Sequence, residues 1–233
     1  MTRLWTALRT LLVRVFLKVA WSVGGDSDAV DGLPRLAGPA VDALLAVLRP
    51  GDIVLLGNNG ALTHVAVAVG DGEIVHAMAT EKTMRGWLGS LSDAVRRALG
   101  GREQHVGVLR ESLRGFLQRY ERDTWIVVRD PQLDEAATAR GVARIGGLVG
   151  LPYDYGFELD NEAWYCTEVA VAFLEAATGQ RPVLATRRVH VPLLLDQQVL
   201  EPVALLEAPG LQVVAANAAA GAKYAALLPT PAR

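Results

Sequence analysis

At 233 residues the chain is long enough for one domain with a proper core, or for one domain plus appendages. Half of it is apolar (51%) and 25 acidic residues nearly balance 23 basic ones, which excludes a disordered chain and a nucleic-acid-binding tail. A single cysteine excludes an internal disulfide framework and any thiolate-rich zinc or iron–sulfur site, and it says little about compartment.

Residues 3–21 read as a helix with Leu4, Leu8, Leu11, Leu12, Val15, Phe16 and Val19 on one broad face. Arg3, Arg9, Arg14 and Lys18 recur too often for a transmembrane span, and Trp21-Ser22-Val23-Gly24-Gly25 is a poor match to a signal-peptide end. The location stays open, cytoplasmic or membrane-associated, since no cleavable signal is recognised. Two readings of residues 1–22 remain open: a cationic amphipathic helix on an anionic membrane surface, or a helix packed on the domain or on a second copy.

Gly24 to Gly38 reads as a linker and Val41 to Leu48 as a short helix. Pro50-Gly51-Asp52 turns into the strand Ile53-Val54-Leu55-Leu56, and Asn58-Asn59-Gly60 is a turn. Thr63 to Val69, then Gly70-Asp71-Gly72, then Glu73 to Ala77 alternate on both sides of a turn, the pattern of a β-hairpin. If Val69 pairs with Glu73, His76 falls opposite Ala66 and diagonal to His64 on the same face, roughly 7–8 Å away.

Residues 80–123 read as helical and mixed, with Trp87 to Leu99 and Ser112 to Arg122 as helices and His105 to Arg110 as a short strand. Trp125 to Arg129 is a strand and Asp134 to Val149 a helix. Gly150-Leu151-Pro152 then leads into an acidic run, Asp154, Glu158, Asp160 and Glu162, that a substrate amine could favour, although such a run is usually a solvated face. Cys166 opens the helix ended by Gly179. Arg187 to Pro192 begins a return segment, Val199 to Leu206 reads as a last strand, and an alanine-rich tail follows. There is no phosphate-binding loop.

A thiol in the first turn of a helix meets the positive end of the dipole and unpaired N–H groups, which favour the thiolate. With His64 as base and His76 as orienting group, Cys166 could attack a carbonyl carbon; Glu73 and Asp71 are poorer orienting candidates. A lone cysteine is most often a buried apolar filler. The joint pattern argues otherwise, since filler has no reason to start a helix while two histidines share a small-residue face. A zinc reading with His64, His76 and Asp154 is secondary because no tight ligand motif supports it.

Pro50-Gly51-Asp52-Ile53-Val54, Thr63-His64-Val65-Ala66-Val67, Gly70 to Ala77, Gly150 to Asp154, and Trp164 to Val169 resemble, in this order, circularly permuted papain-like amidases of the YiiX/YaeF type. These are relatives of NlpC-like cell-wall peptidases and of lecithin:retinol acyltransferase. The resemblance covers roughly residues 45–206. It implies an α+β permuted papain-like fold in which an antiparallel sheet or partial barrel carrying the histidines packs on the cysteine helix. The catalytic domain would span 39–208, with an insertion at about 80–123, an N-terminal segment 1–38 and a tail 209–233.

The resemblance also implies Cys166 as nucleophile, His64 as base and His76 as third residue, and it marks Tyr153, Asp154, Tyr165 and Glu168 as candidate substrate contacts. The Cys166 N–H would serve an oxyanion hole. The implied activity is that of a cysteine amidase or peptidase without cofactor or metal, acting on a peptide, amide or acyl-lipid through an acyl-enzyme. YiiX-type members often carry an acid at the third position, whereas the acyltransferase branch uses histidine. A lipid-directed acyltransferase or lipase and a non-catalytic binding module are therefore the alternatives. No nucleic-acid partner is expected, and the oligomeric state is open.

Overall fold

The structure is a computed structural model that describes residues 36–78, 106–120, 122–154, 156–159, 161–191 and 195–227. The basic helix of residues 1–22, the linker before Leu36 and the helix expected over 87–99 lie outside these residues.

Helix α1 (Gly38–Val47) precedes β1 (Ile53–Asn58), β2 (Ala61–Gly70) and β3 (Glu73–Met78). Two tight turns with left-handed residues, Asn59-Gly60 and Asp71-Gly72, join these three strands. The second hairpin differs slightly from expectation. Gly70, not Val69, faces Glu73, and an irregularity between Ala68 and Gly70 restores the register so that His76 still faces Ala66.

Strand β4 (Gly107–Ser112) then runs into α2 (Leu113–Arg119), followed by β5 (Thr124–Arg129) and α3 (Glu135–Gly146). Helix α4 (Cys166–Thr178) ends at Gly179 in the left-handed conformation. The hairpin β6 (Arg187–Val191) and β7 (Leu195–Val199), a 3₁₀ turn at Pro202–Leu205, β8 (Gln212–Ala216) and α5 (Ala218–Tyr224) complete the described chain.

The architecture is α+β, as expected. One antiparallel sheet has the order β4-β3-β2-β1-β5-β8, with β4 and β8 at its two ends. The inner strands β1, β3 and β5 and the middle of β2 are covered on both faces and read as near-continuous apolar runs, whereas the edge strands β4 and β8 are half exposed. Leu55, Val65, Val67, Val75 and Ile126 share a core with α4. Val54, Leu56, Ala66, Ile74 and Trp125 share the other with α1 and α2. Helix α3 packs against α4 at Gly141, where an added Cβ would lie 2.5 Å from the Phe173 ring. Among the described residues no helix is long and apolar enough to cross a membrane.

Three boundaries are corrected. Residues 107–119 are not insertion: β4 pairs with β3 along its whole length. The strand expected over Val199–Leu206 is instead the end of β7 and a 3₁₀ turn, because Pro202 has a fixed φ and no N–H for a ladder. The tail drawn from residue 209 contains β8, which pairs with β5, so the sheet extends past 208. Its small residues, Ala215 and Ala216, hid the strand signal, but they cover an edge that β5 would otherwise leave open.

Asp134 caps α3 by accepting the Ala137 N–H at 2.7 Å. Asp134→Ala should cost about 1 kcal/mol in urea unfolding and Asp134→Asn much less, since asparagine keeps the acceptor.

Candidate active site

The two histidines converge. His64 Nε2 and His76 Nδ1 are 2.8 Å apart, and His76 Nε2 is 2.9 Å from Glu111 Oε1. The second oxygen of Glu111 is paired with the Arg119 guanidinium. The hairpin supplies the first contact through its diagonal pair. Strand β4 supplies the second: Glu111 faces Ile74, one diagonal step from His76 on the same side of the sheet. Phe116 of α2 closes the cluster, stacked on His64 at 5.2 Å and edge-on to His76 at 5.0 Å.

This chain fixes the tautomers. A carboxylate only accepts, so His76 carries its proton on Nε2 and offers a bare Nδ1. His64 must then donate through Nε2, which leaves the lone pair on its own Nδ1. Burial is the first cause holding His64 well below its ordinary 6.5, with the nearby His76 and the Arg122 cation adding to it. His64 is thus a neutral imidazole at physiological pH.

Cys166 lies on the other side of β2. It belongs to the α4 core with Val65, whereas the His64 ring packs in the α2 core against Phe116. The thiol meets the backbone of Val65, the residue next to His64, and the imidazole bonds to His76 instead. Cys166 and His64 therefore share a peptide group as neighbour without bonding to each other. Burial pushes the thiol up from its ordinary value, and the Val65 N–H and the first N–H groups of α4 oppose that shift without cancelling it.

The four candidate substrate contacts are engaged inside the protein. Asp154 is buried and accepts the N–H groups of Gly156 (2.7 Å) and Glu158 (2.6 Å). Glu168 accepts the Tyr165 N–H at 3.1 Å, forming half of a capping box. The buried Tyr165 hydroxyl accepts the Leu200 N–H at 3.1 Å, and burial raises its pKa. Tyr153 is bridged to Trp164 and stands edge-on to Phe157. Together they shape the loop that presents Cys166.

Glu73 pairs with Arg110 on the surface and Asp71 sits in the turn, so neither orients a histidine. Glu111 and Arg119 do, and the sequence reading missed them. A carboxylate one residue beyond the strand expected over 105–110 was visible. The pairing of that strand with β3 across the long segment after Met78 was not. For the zinc reading, Asp154 is occupied by backbone N–H groups and the imidazoles bond to one another. Among the described residues no group of three or more His, Cys, Asp or Glu side chains is disposed to hold a metal ion.

No family model and no curated protein matches this sequence. Among solved structures the chain is similar to the crystal structure of the metalloprotein yiiX from Escherichia coli O157:H7, at 19% identity and a TM-score of 0.41, over 63% of this chain and 96% of that one.

Proposed function

We propose that the protein is a thiol hydrolase of permuted papain-like architecture that cleaves an amide or peptide bond through an acyl-enzyme on Cys166. The observation that carries this reading is the Glu111–His76–His64 chain. It leaves a lone pair on Nδ1 of the residue adjacent to the one whose backbone meets the thiol. The carboxylate and the second imidazole orient the first and stabilise the charge it gains.

The reaction requires substrate binding to bring the His64 ring and the Cys166 thiol, which now lie on opposite faces of β2, within hydrogen-bond reach; the Cys166 proton then passes to His64 Nδ1. The sulfur then attacks the carbonyl carbon, and the imidazolium returns the proton to the leaving amine. Water, activated by the same imidazole, releases the acid and restores the thiol. The Cys166 N–H at the start of α4 faces the developing oxyanion.

Acylation by p-nitrophenyl acetate tests this. A mass adduct on Cys166 is expected, absent in Cys166→Ala and formed about 10²–10⁴-fold more slowly in His64→Ala. The base must be neutral and the thiol protonated, so the rate should be flat from below pH 6.5 to above pH 9.0, because His64 is shifted down from the first value and Cys166 up from the second. An adduct that forms equally fast without His64 would remove the base from the mechanism.

The separation of thiol and imidazole between two cores favours a second reading, a binding module with an idle cysteine. Absence of any adduct in the native protein would select it. The lipid-directed alternative rests on His76 at the third position and on residues 1–22, the latter outside the described residues.

A further inference from the structure

We propose that the outer face of α4 carries a binding site for a small zwitterion such as a free dipeptide, separate from the thiol. A cavity of about 510 Å³ opens there, lined by Val171, Ala172 and Ala176 together with the ring of Trp164. That volume is within the range of ligand pockets, roughly 300–1,000 Å³.

Two opposite charges face this cavity without an ionic partner among the described residues. The Arg144 guanidinium lies over the Trp164 ring, 5.6 Å from its centroid, and no carboxylate among the described residues is within ion-pair distance of it. Glu175, exposed on α4, likewise pairs with no cation among the described residues. Both line the cavity, yet they do not pair with each other, so the space holds them apart. The other two charged residues of the lining are engaged elsewhere: Glu168 accepts the Tyr165 N–H, and Arg181 has a partner of its own.

A ligand with one charge would leave the opposite group unanswered. A ligand with a carboxylate and an ammonium answers both. The Trp164 ring below the Arg144 guanidinium favours a fork held over this cavity, which suits bidentate capture of a carboxylate and lowers the ordering cost of binding. The ammonium then falls to Glu175, and the short aliphatic side chains of the ligand meet Val171, Ala172 and Ala176. The site lies on the helix that begins with Cys166, but the thiol is not part of its lining.

The test titrates the full chain with L-Ala-L-Ala, with its N-acetyl derivative and with its C-terminal amide, followed by tryptophan emission and by calorimetry. The free dipeptide should bind, and each blocked form should bind at least about tenfold more weakly, since a charge-assisted hydrogen bond is lost. Arg144→Ala should abolish the distinction between free dipeptide and amide, and Glu175→Gln that between free and acetylated dipeptide. Trp164→Phe should remove the emission change while binding heat persists. No binding at millimolar concentration, or equal binding of the blocked forms, would overturn the proposal. So would a distinction that survives the matching substitution. Cys166→Ala should bind the dipeptide like the parent, so a failure of the hydrolase reading leaves this result intact.

Discussion

Asp52→Ala is expected to remove about 3 kcal/mol of stability, read as a lower urea midpoint at unchanged slope. Asp52 has no exposed surface. It accepts two hydrogen bonds from Arg129, at 2.6 Å from Nε and 2.7 Å from Nη2, and a third from the Arg49 N–H at 2.7 Å. The same guanidinium donates to the Val47 carbonyl at 3.3 Å, so one ion pair ties the end of α1 and the start of β1 to the end of β5. Removing the carboxylate strands an arginine that is mostly covered, and burial of an unpaired cation is the costly half of breaking such a pair. Arg129→Met should cost as much, because it strands a fully buried carboxylate. The double variant Asp52→Leu with Arg129→Met should cost clearly less than the two single effects added, as expected for residues that share one interaction. A midpoint unmoved by Asp52→Ala would show that the pair contributes no stability. The role of the Pro50-Gly51-Asp52 motif would then have to be found outside the core.

The parts of the fold that depend on local chemistry were legible in the sequence. Asn59-Gly60 and Asp71-Gly72 demand left-handed residues and so mark two hairpins, and Asp134 and Gly179 mark a helix start and a helix end. The approach of His64 to His76 followed from strand alternation alone, and it survived a one-residue irregularity because Ala66 still faces His76. What depended on pairing between distant segments was not legible. Strand β4 is separated from β3 by a long stretch of sequence after Met78, so Glu111 was invisible as the partner of His76. Strand β8 has only Val213 and Val214 as strand formers beside Ala215 and Ala216, too short a signal to stand out before the open edge of β5 pairs with it. The side of the sheet on which Cys166 lies is of the same kind. Alternation puts Val65 and His64 on opposite faces, but only the packing of α4 and α2 decides which face the thiol joins.

Glu111→Gln should slow acylation of Cys166 about 10²–10⁴-fold while leaving the fold intact, and the reason is the direction in which the amide must point. Glu111 stands between two donors, His76 Nε2–H and the Arg119 guanidinium. A carboxylate satisfies both. A glutamine has one oxygen, and the permanent cation claims it, so the amide N–H₂ turns toward His76 Nε2. That nitrogen must then be the acceptor, which moves the His76 proton to Nδ1. His76 now donates to His64 Nε2, and His64 in turn carries its proton on Nδ1, the position where the lone pair is needed. The base is disabled by a tautomer relayed through two rings, with little change of shape. This predicts a particular rescue. With Arg119→Met added, the glutamine oxygen is free to turn back to His76, and the rate should recover by at least tenfold even though a second residue has been altered. Arg119→Met alone should have a modest effect, because Glu111 keeps its bond to His76. A loss caused by Glu111→Gln that Arg119→Met deepens instead of relieving would mean that the negative charge of Glu111, and not the orientation of His76, is what the site requires.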